Sequence, residues 1–225
     1  MLHTPKQTRS KKTLERILSA ARNLMALEGV DSVGVTEIVA AADSSVGSFY
    51  ARFDGKEDLV RVLHERLWAE ASSRWHDGLE EWDNGFPAGD RVIHLVGMLQ
   101  DTVQPDQQLR RALTRMLDEE GAAAQAAFED RIVSDAVSLM HADEAIRHPK
   151  PPTAIALGTR FVLAVLRDKP GPLRWSHGGE DMELDSPGIR GELATALRGY
   201  WGVGTLVQIG PDPSDTAVEY FDIWS

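Results

Sequence analysis

The sequence has no cysteine, which removes disulfide frameworks, thiolate zinc sites and cysteine nucleophiles together and fits a reducing, cytoplasmic setting. It has no apolar run approaching the ~20 residues of a membrane span. Residues Met1 to Lys12 are polar and basic, without an apolar stretch of signal-peptide length. A soluble, intracellular protein without a membrane partner is expected. Catalytic signatures are equally scarce: there is no glycine-rich phosphate loop, no nucleophile elbow and no His-Glu-x-x-His pair. His141, Asp143, Glu144 and His148 come nearest to a ligand cluster, but they fall at a predicted helix end, where such residues are commonly solvated. No enzyme activity, metal site or cofactor is expected.

Acidic charge is plentiful. The formal net charge is -11 over 225 residues, a length ample for one large or two small domains with a real core. The charge is unevenly placed. From Met1 to Arg22, six basic residues (Lys6, Arg9, Lys11, Lys12, Arg16, Arg22) face one acid, Glu15, and the first 60 residues balance at eight against eight. The whole excess therefore follows residue 60, where 16 basic residues face 27 acidic ones. A basic arm on an acidic body is the footprint of phosphate contact at one end. Taken alone, the arm fits a solvated, disordered tail equally well.

Apolar periodicity gives the elements. Leu14, Ile17, Leu18, Ala21, Leu24 and Met25 form one stripe of an amphipathic helix that Gly29 stops. Val35, Ile38, Val39 and Ala42 repeat the spacing, with Gly34 at the N-cap and Glu37 placed to reach back to free amides. Asp43-Ser44 suits a tight turn and Ser45 a second N-cap. Val46, Phe49, Tyr50 and Phe53 then predict a third short helix that buries one face and shows Gly47, Ser48, Ala51 and Arg52 on the other. Asp54 caps a fourth helix, with Glu57 at the capping-box position.

Two short helices on a longer first one form the arrangement that lays the second of the pair in the major groove. Gly47 and Ser48 are small enough to approach base edges, Arg52 and Lys56 can neutralise phosphates, and the Tyr50 hydroxyl can donate to a phosphate oxygen. The same periodicity also fits a three-helix bundle with no DNA function.

Specific residues go further. Arg16-Ile17-Leu18-Ser19-Ala20-Ala21, Leu24, Gly29, Val35-Thr36-Glu37-Ile38, Ser45 through Phe53, Lys56 and Leu59 resemble the N-terminal signature of TetR-family repressors, without a gap over about residues 13–60. The resemblance implies an all-α homodimer: an N-terminal three-helix helix-turn-helix domain followed by a helical ligand-binding and dimerisation domain. It implies that operator DNA is met by Thr36, Ser45, Val46, Gly47, Ser48, Tyr50, Arg52 and Lys56, with Phe49 and Phe53 packed beneath. Two positions depart from the family. Its Ala-Gly-Val-Ser turn is here Ala42-Asp43-Ser44-Ser45, and Arg52 stands where many relatives carry histidine. Aspartate tolerates the left-handed backbone of the glycine position, whereas Ser44 gives up an apolar contact.

The domains expected are residues 1–55 for DNA binding, 56–205 for ligand binding and dimerisation, and 206–225 as a tail. A long helix from Lys56 to Trp82 would place Trp68, Trp75 and Trp82 on one side, as core or as an aromatic wall for a ligand. Met98, Met116 and Phe128 join them as pocket candidates or as plain core filler. Helices follow near 90–103, with Val92, Val96, Leu99 and Val103 inward, and near 106–118 and 122–145. Residues 153–167 are the most apolar segment; by resemblance they pair with a last helix near 186–200 in a four-helix dimer interface, and an ordinary internal helix is the alternative. Asp168 to Asp185 reads as a long surface loop, and the tail ends in Tyr220, Phe221 and Trp224, which suggests docking on the body or the partner. The function expected is a regulator released from its operator by a small-molecule effector. A ligand-binding homodimer without operator recognition is the alternative.

Overall fold

The computed structural model describes residues 5–168, 172–177 and 180–204; the tail and its expected docking lie outside them. In chain order the elements are α1 (Pro5–Glu28), α2 (Val35–Ala41), α3 (Val46–Tyr50), α4 (Lys56–Glu80), α5 (Ala88–Val103), α6 (Gln107–Met116), α7 (Asp118–Met140), α8 (Pro151–Asp168), β1 (Leu173–His177), β2 (Glu180–Leu184) and α9 (Ser186–Trp201). The described fold is all-helical but for one hairpin. It divides into two compact units, residues 1–77 with 102–128, and residues 78–101 with 129 onward. No helix among the described residues is long and apolar enough to cross a membrane.

In the first unit α1 starts at Pro5, so the basic arm enters the helix rather than preceding it as a tail. Proline suits a first helical position because its missing N–H would have no partner there. Gly29 closes α1 with φ +90, a left-handed backbone that glycine adopts without strain. Ile17, Leu18, Ala21, Ile38, Val39, Phe49, Phe53, Leu59, Leu63 and Leu67 form one core with Leu109 and Leu113 of α6. At the head of α4 the acid that reaches back is Asp58, accepting from the Asp54 N–H at 3.2 Å, where Glu57 was expected. Arg22 of α1 ties three helices together: it pairs with Asp106, at the N-cap of α6, and with Glu70 of α4 at 3.0 Å. Gly121, which reads as a break between helices, lies inside α7. A β-carbon there would stand 2.4 Å from the Thr114 carbonyl oxygen, so glycine is required by close approach to α6.

In the second unit Val92, Val96 and Leu99 of α5 are buried as the spacing predicts, along with Ile132, Ala136 and Met140 of α7. α8 packs on α9 at Gly158, where a β-carbon would be 2.8 Å from Leu197 Cδ2. The Trp201 indole donates across the same contact to the Ala154 carbonyl at 3.0 Å. The expected loop at 168–185 is corrected by β1 and β2. They pair antiparallel with Leu173 opposite Leu184 and Trp175 opposite Met182. Strand alternation outweighs the local proline and glycine density: Arg174 and Glu183 form an ion pair at 2.7 Å on the polar face.

Candidate nucleic-acid interface

The helix-turn-helix is assembled by local hydrogen bonds that its sequence specifies. The Gly34 N–H donates to Glu37 Oε2 at 2.7 Å, one half of a capping box that starts α2. Asp43 takes φ +44, turning the chain after α2, and its carboxylate meets Arg16 of α1 at 3.2 Å. Ser45 then caps α3, its Oγ accepting from the Ser48 N–H at 3.1 Å and lying 3.0 Å from the Ser48 hydroxyl. Phe49 and Phe53 are buried with ring centroids 5.1 Å apart, and the Tyr50 ring sets its edge against Phe49 at 5.3 Å.

This packing divides the eight candidate contact residues into two sets. Thr36, Val46, Gly47 and Tyr50 face outward, Tyr50 with 55% of its surface exposed. Ser45, Ser48, Arg52 and Lys56 also hold the motif together. Arg52 donates to the Ser48 carbonyl at 2.6 Å and to Ser10 Oγ of α1 at 3.1 Å, and Lys56 donates to the Asp31 carbonyl at 3.2 Å. Arg52 thus tethers the C-terminal end of α3 to α1, a role that periodicity does not reveal.

The same residues carry the match to known proteins. Residues 17–63 match the family model of the bacterial regulatory proteins of the tetR family. Over 63 residues the chain is 36% identical to YvdT of Bacillus subtilis strain 168, an uncharacterized HTH-type transcriptional regulator; that match covers 28% of this chain and 31% of YvdT. The fold is similar to that of Salmonella enterica GusR, with TM-score 0.55 and 22% identity over 84% of this chain and 95% of the other. It is also similar to a TetR/AcrR-family regulator of Thermobifida fusca, with TM-score 0.60 and 16% identity over 81% and 94%. The likeness to the tetR family thus lies in residues 17–63, and over the rest of the chain it is one of fold.

Against the TetR-family pattern, the altered turn survives in its backbone and carries its cost in one side chain. Asp43 occupies the left-handed position as expected, but the Ser44 hydroxyl is buried without a hydrogen-bond partner. An unsatisfied buried hydroxyl costs about 1–3 kcal/mol. Ser44→Val, which restores the family's residue, is therefore expected to stabilise the chain by about 1–2 kcal/mol. A higher urea midpoint with an unchanged slope is the expected result; an unchanged or lower midpoint would show that the hydroxyl is satisfied.

The six pocket candidates fall in both units. Trp75 is buried and Met116 packs against the core of the first unit, where Trp68 also meets Phe128 with centroids 4.7 Å apart. Met98 is buried in the second unit, its side chain beside Gly78. α4 ends at Glu80, so Trp82 falls beyond the helix and does not continue the stripe of Trp68 and Trp75. Its indole donates to Asn84 Oδ1 at 3.0 Å and its ring lies 5.4 Å from His94. In the polar group at 141–148, Asp143 pairs with Arg91 and His148 Nδ1 accepts from the Lys150 N–H.

Beside Trp68 the structure places two residues that the sequence reading passed over, His64 and Arg110, both buried. Each lies on the apolar face of its helix, His64 among Val60, Leu63 and Leu67 and Arg110 between Leu109 and Leu113, and a polar residue in such a stripe is the signal that could have found them. The Trp68 N–H donates to His64 Nε2 at 2.8 Å. Indole N–H only donates, so Nε2 must accept and the His64 proton sits on Nδ1. Burial, reinforced by the Arg110 charge and opposed by Glu120, holds the His64 pKa below its ordinary value. The folded state then binds fewer protons than the unfolded one. Stability is full above about pH 6.5 and falls as the pH drops below it. Denaturant unfolding across this range should show that loss, and His64→Gln should flatten it; an equal slope in the variant would remove His64 as the cause.

Proposed function

We propose that the protein is a DNA-binding transcriptional regulator, a repressor whose dimer holds two recognition helices on operator DNA until a small-molecule ligand releases it. The observation that carries the proposal is the outward face of α3. Val46, Gly47 and Tyr50 are exposed on a helix fixed by the Ser45 cap, the buried Phe49–Phe53 pair and the Arg52 tether. An exposed face on an otherwise rigid helix suits base-edge and phosphate contact, because the contact residues lose little freedom on binding. Thr36 at the start of α2, and Arg16, Lys11 and Lys12 on α1, add hydroxyl and cationic groups to the same domain.

Dimerisation through α8 and α9 supplies the second recognition helix. α8 leaves Leu157 and Phe161 exposed at 57% and 53%, one turn apart. The outward residues of α9 include Gly191, Thr195, Ala196 and Gly199, small enough for a second copy to approach closely. Operator half-sites lie about 34–36 Å apart, so a ligand that favours another spacing weakens DNA binding. DNA must weaken the binding of that ligand by the same factor.

Selecting genomic DNA fragments on the purified chain tests the proposal. A recurring two-fold symmetric site supports it, and a folded dimer that retains no fragment would fit the ligand-binding dimer without operator recognition.

A further inference from the structure

Two arginines of the first unit meet the carbonyl end of α5, Arg110 buried and Arg74 partly buried. Arg110, 4% exposed, donates to the main-chain carbonyls of Val103 and Pro105 and lies 5.2 Å from the Trp68 ring centroid. Arg74 on α4 donates to the Thr102 carbonyl at 3.3 Å, and its Nε–H is buried with no partner. Among the described residues, neither guanidinium pairs with a carboxylate. The nearest acids are engaged elsewhere: Asp106 and Glu70 hold Arg22, and Glu70 also meets Arg66.

The carbonyl end of α5 accounts for part of this charge. A helix C-terminus carries about half a negative charge, whereas two full cations stand there. Burial, and next the Arg74 charge, lower the Arg110 pKa to about 10, so Arg110 remains protonated at neutral pH. Uncompensated buried charge is destabilising unless something completes it. Guanidinium forks match the two oxygens of a carboxylate, and the Trp68–Phe128 contact offers an apolar flank for the rest of such a molecule.

We infer that the Arg74–Arg110 pair is the recognition point for the effector and that the effector is a small organic carboxylate. This rests on the ligand-release reading above. Arg74 is only partly buried, so the pair is reached from its side. Arg110 follows Asp106 by one turn of α6, and Asp106 holds Arg22 of α1. A carboxylate added here therefore competes with the acids that anchor the recognition domain.

Calorimetric titration of the full chain with benzoate, phenylacetate and butyrate, each beside its primary amide, tests the inference. At least one carboxylate should bind tenfold or more tightly than its amide, since charge-assisted bonds to guanidinium exceed neutral ones, and Arg74→Gln should abolish that preference. The unliganded Arg74→Met variant should melt at or above the wild-type temperature, because it removes an uncompensated charge. The inference is overturned if no carboxylate outbinds its amide, if the preference survives Arg74→Gln, or if Arg74→Met melts several degrees lower. Operator binding by the wild-type chain is read separately. Its absence would count against the regulator reading, whereas a failure of carboxylate preference beside intact operator binding counts against this inference alone.

Discussion

Tyr50→Ala is expected to lower operator affinity by about two to four orders of magnitude while leaving the chain folded. The Tyr50 ring is held edge-on to Phe49 at 5.3 Å, and more than half of the side chain faces solvent. Its hydroxyl is therefore presented at a fixed distance from the buried core of the motif. A hydrogen bond to a charged group contributes about 1.5–3 kcal/mol, and a dimer on two half-sites loses it twice, about 3–6 kcal/mol in all. The fold loses only a partly exposed ring contact, about 1 kcal/mol or less. Tyr50→Phe separates the hydroxyl from the ring: it should recover the packing and stay weak on DNA. Fluorescence anisotropy on a selected operator, beside a thermal melt of each variant, reads both effects. Full affinity in a folded Tyr50→Ala protein would remove Tyr50 from the interface.

The second large effect is expected at α8. In a two-fold interface Leu157 and Phe161 are each buried twice, so replacing both with glutamate places four carboxylates in one apolar seam. The lost burial of four half-exposed side chains is about 3–6 kcal/mol, and unpaired desolvated charge adds to it. Dimer dissociation should strengthen by at least two to four orders of magnitude, visible in sedimentation as a monomer at micromolar concentration. Both side chains are already exposed in the single chain, so the helical content should not change. Operator affinity should fall with the dimer, because the second half-site is then no longer held near the first. A double variant that sediments as a dimer would place the interface elsewhere.

Much of the recognition domain was legible because its determinants are local. Gly34 and Glu37 lie three residues apart, as do Ser45 and Ser48, and the spacing that predicts each cap is the spacing that makes it. Phe49 and Phe53 show their burial through period alone. The rest depends on contacts distant in sequence. Arg52 meets Ser10 across 42 residues, so its tether could not be separated from a phosphate contact by pattern. Gly121 reads as a helix breaker until Thr114 is seen opposite it. At 173–184 a short strand alternation stands among Pro170, Gly171, Pro172, Gly178 and Gly179, whose density signals a loop. Trp82 kept its seven-residue spacing in a chain that leaves the helix at Glu80, which shows that a period has meaning only while the element lasts.

DNA reading by α3 is tested by titration of the full chain with a selected operator and with a scrambled fragment at rising salt. Phosphate contact predicts that affinity for both falls linearly on a logarithmic salt scale. Base readout by Gly47, Ser48 and their neighbours predicts that the operator stays at least about a thousandfold tighter than the scrambled fragment at physiological salt. Equal affinity for the two fragments at every salt concentration, with the dimer intact, would contradict the account.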